Sequence, residues 1–289
     1  MQKIIPFLWF NDQAEAAAKR YTSLFTNSQM GALVRYGENM PGEQGTVMTV
    51  AFQLAGQPFM ALNGGPVFQF SPAISFFVAC QTEEQIQALW DGLSEGGNVL
   101  MAFGAYPFSE KFGWLVDAFG VSWQLSLERT PQKISPYLMF VGEQSGRAGE
   151  AIQFYTSLFP HSGANLVERY GKDQGEPEGH VMHARFSLAG QQFIAMDSSM
   201  GHAFAFTPAI SFFVNCETQD EIDHFWDALC QGGHPEQCGW LSDRFGISWQ
   251  IVPTILAELT GGPDAQRAAR VTQAMLKMIK LDIEALQSA

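Results

Sequence analysis

The chain has 289 residues, 46% of them hydrophobic and 24 of them phenylalanine, with a formal net charge of −13. This composition excludes a disordered chain, and the negative charge repels polyphosphate, so nucleic acid is not an expected partner. No apolar run approaches the roughly 20 residues that span a bilayer, and the opening residues carry no signal-peptide pattern, so the expected location is the cytoplasm, away from the membrane.

Read in chain order, Ile4 to Phe10 is a short apolar run that predicts a strand, and Asn11-Asp12 after it is a helix-capping signal. Ala14, Ala17, Ala18, Tyr21, Leu24 and Phe25 then recur at helical spacing. Gly31 to Tyr36, Thr46 to Leu54 and Pro58 to Leu62 read as strands, the last two joined by a turn at Gly56-Gln57. The same β-α-β-β-β grammar restarts at Ala73 to Cys80. Thr82 caps a helix running to Leu93, Gly96-Gly97 ends it, and strand-like pieces follow at 98–103, 112–116 and 121–127.

The whole pattern then returns. Tyr21-Thr22-Ser23-Leu24-Phe25 recurs as Tyr155-Thr156-Ser157-Leu158-Phe159. Leu54-Ala55-Gly56-Gln57 recurs as Leu188-Ala189-Gly190-Gln191, and Ser122-Trp123-Gln124 as Ser248-Trp249-Gln250. A period of 126 to 136 residues is domain-sized, far beyond the about 20–50 residues of a solenoid unit. The organisation is therefore two tandem domains over 1–130 and 131–256, and a tail over 257–289. One segment differs strongly: Asn98 to Phe112 in the first repeat corresponds to only His234 to Cys238 in the second. In the tail, Val271, Met275, Ile279, Ile283 and Leu286 recur at spacings of three and four, which predicts an amphipathic helix docked on the body.

Cys80 and Cys216 are equivalent, Cys230 and Cys238 are not, and no C-x-x-C or zinc-like spacing occurs. All four read as free thiols in a reducing compartment. The six histidines are His161, His180, His183, His202, His224 and His234, all in the second repeat. Only His183 is singled out, because Asp197 is expected on a neighbouring strand and a His–carboxylate pair can act as a base.

Four β-α-β-β-β modules in a row resemble the vicinal oxygen chelate superfamily of glyoxalase I, ring-cleaving dioxygenases and bleomycin-resistance proteins. Tyr21 to Phe25, Asn63-Gly64-Gly65-Pro66, Pro72 to Val78 and Gly113-Trp114-Leu115 through Gly120 to Gln124 resemble its PhnB-like branch, often labelled 3-demethylubiquinone-9 3-methyltransferase. The second repeat carries the same motif as Cys238 to Leu241 and Phe245 to Gln250. The resemblance implies an α+β fold of two tandem glyoxalase-like domains, each of paired β-α-β-β-β modules, plus a C-terminal helix.

Metal-dependent members of that superfamily take ligands from four strand positions. These fall on Ile5, Ala61, Ala73 and Gln124 in the first repeat, and on Ser135, Ala195, Ala209 and Gln250 in the second. Such side chains lack the imidazole and carboxylate donors that a divalent metal needs, so no metal is expected. The glycine pairs do not form the strand-to-helix turn of a common S-adenosylmethionine site, so no cofactor is expected and the methyltransferase label gains no support. The expected function is a metal-free protein binding a small, partly apolar molecule; the alternative is an enzyme of unassigned reaction in the same superfamily. Expected ligand-binding residues are Asn63, Ser75, Trp123, Gln124, Phe68 and Phe70, with their counterparts Asp197, Ser211, Trp249, Gln250, Phe204 and Phe206. The two repeats are expected to pack about a pseudo-twofold axis within one chain, as a monomer or a homodimer.

Overall fold

The computed structural model describes residues 2–37, 40–262 and 264–289. The first repeat supplies β1 (Ile4–Phe10), α1 (Ala14–Leu24), β2 (Gln29–Arg35), β3 (Val47–Leu54) and β4 (Gln57–Asn63), then β5 (Ile74–Cys80), α2 (Glu83–Ser94), β6 (Asn98–Tyr106), β7 (Ser109–Val116) and β8 (Ser122–Leu127). The second repeat supplies β9 (Lys133–Phe140), α3 (Ala148–Leu158), β10 (Gly163–Arg169), β11 (Val181–Leu188) and β12 (Gln191–Asp197). It continues with β13 (Ile210–Cys216), α4 (Gln219–Cys230), β14 (His234–Pro235), β15 (Trp240–Ser242) and β16 (Ser248–Pro253). The tail forms α5 (Leu256–Gly261), α6 (Ala265–Met275) and α7 (Ile283–Ser288).

The four modules expected from sequence are all present, in an α+β arrangement, but the sheets cut across the repeats. The first sheet runs β14-β15-β16-β13-β1-β4-β3-β2 and the second β10-β11-β12-β9-β5-β8-β7-β6. Each therefore joins one module of either repeat, through the antiparallel seams β1–β13 and β5–β9. The seam strands explain this. Ile74 to Cys80 is buried at every position and Lys133 to Phe140 at all but its first, so neither tolerates a solvent-facing edge.

The two sheets meet back to back. Phe59 of β4 lies 5.2 Å from Phe76 of β5, and Phe193 of β12 lies 5.1 Å from Phe212 of β13, both edge to face. One continuous core joins these inner faces to the helices. It is stapled twice by the same device. Buried Asp117 accepts bonds from the Tyr21 hydroxyl at 2.6 Å, the Trp123 indole at 2.8 Å and the amides of Phe119 and Val121. Asp243 does the same for Tyr155, Trp249 and the amides of Phe245 and Ile247. Tyr21 belongs to a helix of the first sheet and Asp117 to the second, so each staple ties the sheets together.

The tail docks on the body as expected, but in three pieces instead of one helix. The helix stops near Leu276 because the following carbonyls are used elsewhere: Met278 and Ile279 accept bonds from the amides of Cys238 and Gly239, each at 2.8 Å. Ile279, expected on the docking face, is 55% exposed, and Leu281 is buried in its place. Gly239 is what lets the tail approach. Its φ is +82°, and a Cβ there would sit 2.7 Å from the Ile251 carbonyl and 3.1 Å from Leu281.

Candidate functional site

The inner face of each sheet is spent on the core, so the outer face carries whatever binds. In the second sheet the outer-face row through β11 to β5 pairs Arg185 with Ile194, Ile194 with Tyr137 and Tyr137 with Ser75. Beside it, Phe77 pairs with Ser135 and with Gln124, and Gln124 with Trp114. Phe77, Ala79, Phe112, Tyr137 and Ile194 form a second apolar cluster, separate from the core, with Met101, Tyr106, Trp114 and Met196 packed against it.

This face is rolled into a trough. Arg185 on β11 reaches Glu128, just past β8, at 3.1 Å. The two strands are four places apart in the sheet, roughly 19 Å if it were flat. The row through Arg185 and Ser75 meets β8 near Trp123, several residues short of Glu128, which adds further distance along the strand. Only a strongly coiled sheet brings these side chains together.

The trough has two polar features. On its floor, the Gln124 amide donates to Ser75 Oγ at 2.9 Å, with both residues buried. Across it runs a bridge of polar and charged groups: Ser109 and Ser126 share a bond at 3.0 Å, and Ser126 donates to Glu128 at 2.8 Å. Glu128 pairs with Arg185, whose Nε donates to His183 Nε2 at 3.2 Å. The guanidinium lies 5.6 Å from the centre of the Phe77 ring. Burial, then the nearby guanidinium, pulls the His183 imidazole below its ordinary pKa of 6.5, so the ring is neutral at pH 7 and can accept that bond.

The outer face of the first sheet is built from equivalent positions and has a different fate. Gln250 donates to Ser211 at 2.9 Å, as Gln124 does to Ser75. Around this pair the aromatic side chains close on one another: Phe7 on Phe213 at 6.4 Å, and Phe7 and Trp9 edge to face on Trp240 at 5.8 and 5.9 Å. The tail covers one end, where Val252 and Phe213 pack with Val271, Leu281 and Leu286. Where the second trough has His183, Arg185 and Glu128, this one has Thr49, Ala51 and Thr254. A surface hollow of about 400 Å³ between Pro160, His224 and Phe225 lies outside both troughs and holds none of these groups.

The expected site residues divide sharply. Ser75 with Gln124, and Ser211 with Gln250, are brought together on the outer faces. Trp123 and Trp249 face inward, fully buried on the aspartate staples. Asn63 accepts the amide of Ala14, and Asp197 those of Gly146, Ala148 and Val181; they cap α1 and α3, which explains why Asn11-Asp12 does not. Asp197 thus faces the core, and the structure does not pair it with His183. Phe70 and Phe206 pack on Phe10 and Phe140, Phe68 lies on Trp9 beside the first trough, and Phe204 packs at a tilt on His202. Glu128, Arg185, Ser126, Tyr137 and Phe77 escaped sequence reasoning. For Arg185 and Glu128 the signal that could have found them is a charged residue whose counterpart in the other repeat, Ala51 or Thr254, is neutral.

The structure also moves two of the presumed metal positions. Ala61 and Ala195 belong to the core cluster, and the outward residues beside them are Met60, Leu62, Ile194 and Met196. Neither set offers a ligand, and among the described residues no group of three His, Cys, Asp or Glu could hold a metal ion. The residues present do not fit the metal of the superfamily's metal-dependent members. Cys80 and Cys216 are buried and pushed up to about 12, so they are inert thiols.

A family model described as 3-demethylubiquinone-9 3-methyltransferase matches residues 2–126 and again 132–252. The PhnB protein from Bacillus cereus is 49% identical over 44% of this chain and 99% of its own, with a TM-score of 0.42. A protein from Staphylococcus aureus is 39% identical over 43% of this chain and 95% of its own, with a TM-score of 0.19. Glyoxalase I from Zea mays is 11% identical over 86% of this chain and 90% of its own, with a TM-score of 0.57, a likeness of fold. No match is found among the curated proteins. The chain belongs to the 3-demethylubiquinone-9 3-methyltransferase family, whose model covers both repeats.

Proposed function

We propose that this PhnB-like chain binds one small, partly apolar molecule in the trough of the second sheet, without a metal ion or an organic cofactor. The observation that carries the reading is the contrast between the troughs. One has the tail packed over one end, and Thr49, Ala51 and Thr254 where the other has His183, Arg185 and Glu128. The other joins a closely packed apolar floor to a buried amide–hydroxyl pair and an Arg185–Glu128 bridge, the mix of apolar and polar groups found in small-molecule sites. Its two halves come from different repeats, so the duplication builds one binding trough from four modules. The described helices include none long and apolar enough to cross a membrane, and the acidic chain with its inert thiols is read as cytoplasmic.

The family description names a methyl transfer, and the trough offers no glycine-rich turn for S-adenosylmethionine. Calorimetric titration with that compound is expected to show no saturable heat up to about the millimolar range. A micromolar Kd would overturn the metal- and cofactor-free reading. Mass spectrometry of molecules released by heating natively purified protein is expected to find an apolar compound at near one per chain. A chain that carries nothing and is stabilised by no member of a broad apolar library would count against a binding function.

One observation favours the alternative of an enzyme with unassigned reaction. His183, neutral and hydrogen-bonded, shares the trough with Glu128, so a proton acceptor and a carboxylate stand where a ligand would lie. Chemical change of the bound molecule by wild-type protein, absent in His183→Gln, would establish it.

A further inference from the structure

We propose that Arg185 is the anion-recognising residue of the second trough, and that the molecule bound there carries a carboxylate on an apolar body. The inference rests on the trough being the binding site. Its warrant is a control inside the chain. The two troughs share fold, register and the buried glutamine–serine pair, yet only one has an ion pair. With Ala51 and Thr254 at the equivalent positions, the first sheet still coils, since Trp9 on β1 and Trp240 on β15 meet at 5.9 Å from three strands apart, so the pair is not a requirement of the fold. Nor is a half-buried ion pair an economical source of stability, since desolvation offsets much of the attraction.

The geometry says what the pair does. The Arg185 guanidinium lies 5.6 Å from the centre of the Phe77 ring, its Nε donates to His183, and its side chain remains 41% exposed. Two of its five N–H donors make the bonds described, one to His183 and one to Glu128. A planar fork so oriented is suited to a planar carboxylate, which it can take in two parallel bonds, and not to a point charge. Glu128 occupies it in the free protein and has a second home: its other oxygen accepts from Ser126. An incoming carboxylate can therefore displace Glu128 from Arg185 without stranding it. Phe77, Tyr137, Phe112 and Ile194 then face the apolar body of the ligand.

The test uses the full chain and two isosteric probes, 2-naphthoate and 2-naphthamide, titrated by calorimetry. The charged probe is expected to bind at least about tenfold more tightly. Arg185→Met should abolish that preference, and circular dichroism with a cooperative urea transition certifies that the variant folds. Glu128→Gln should tighten naphthoate binding severalfold by removing the internal competitor. Equal affinity of wild type for the two probes, or a preference that survives Arg185→Met, overturns the inference and leaves the binding trough intact. Saturation by neither probe up to about 10 mM removes the trough as an apolar site and the inference with it. If Arg185→Met does not fold, Glu128→Gln decides alone, and naphthoate binding unchanged or weakened overturns the proposal.

Discussion

Arg185 and Glu128 meet at 3.1 Å although they come from different repeats and from opposite halves of the second sheet. Neither repeat contains the pair. It exists because the seam between β5 and β9 pairs the second module with the third. The same exchange leaves each half of the chain with two modules that belong to different sheets, so neither half can complete a sheet by itself.

Residues 1–130 expressed alone are therefore expected to self-associate, and co-expressed with 131–289 to form a 1:1 complex of about the intact mass of 31.9 kDa. Light scattering of the intact chain should give that mass as a monomer. A monodisperse, folded monomer of residues 1–130 would contradict the exchanged sheets.

The aspartate staples make a stability prediction. Tyr21→Phe keeps the ring but takes one donor from a buried carboxylate, which should cost about 1.5–3 kcal/mol. Tyr155→Phe should cost a similar amount, because Asp243 repeats the device. Urea denaturation measures both, and a loss under about 0.5 kcal/mol in either would show that the staple is incidental.

These staples also show what was legible in the sequence. The modules, the repeat and the family could be read from strings such as Ser122-Trp123-Gln124 because those strings recur. They recur because they build the core: Trp123 and Trp249 are bound to buried aspartates, and Asn63 and Asp197 cap helices. Faithful repetition therefore pointed to structure, and the expected binding residues drawn from it were mostly structural. The exceptions, Gln124 with Ser75 and Gln250 with Ser211, occupy outward phases of their strands. Arg185 and Glu128 lie in different modules, and their meeting depends on a sheet pairing that no local pattern records. The tail was legible as amphipathic, but its break at Leu276 depends on Gly239 and Cys238, nearly 40 residues away in sequence.

The tail covers one end of the first trough, so loosening it should expose apolar surface there. Leu281→Ala, at a fully buried position, is expected to cost about 2–4 kcal/mol. Gly239→Ala, which collides with the Ile251 carbonyl, should also release the tail and increase binding of an apolar dye. Stability and dye binding both equal to wild type would mean that the tail merely rests on the surface.

The pH behaviour of His183 carries a definite sign. Its folded pKa lies below the ordinary 6.5, so the stability it contributes is present above 6.5 and is lost as pH falls through the folded value. Ring-proton NMR should find it titrating below 6.5, and Arg185→Met should move it upward by removing a neighbouring positive charge. A pKa at or above 6.5 in wild type would contradict the buried, Arg-bonded imidazole.

Elemental analysis of protein purified without added metal should show no stoichiometric zinc, nickel, iron or manganese. One equivalent retained through dialysis and lost in Gln124→Ala would contradict the donor-set argument.

The central claim is that one trough binds and its twin does not, and equivalent tryptophans report on each. Trp114 lines the second trough and Trp240 the first. Fluorine NMR of protein labelled with 5-fluorotryptophan, assigned by single Trp→Phe variants and titrated with the co-purified molecule or 2-naphthoate, reads both at once. The account predicts that the Trp114 resonance shifts to saturation while Trp240 stays in place. A saturable shift of Trp240 with Trp114 unmoved would put the site in the trough that the tail covers and contradict it.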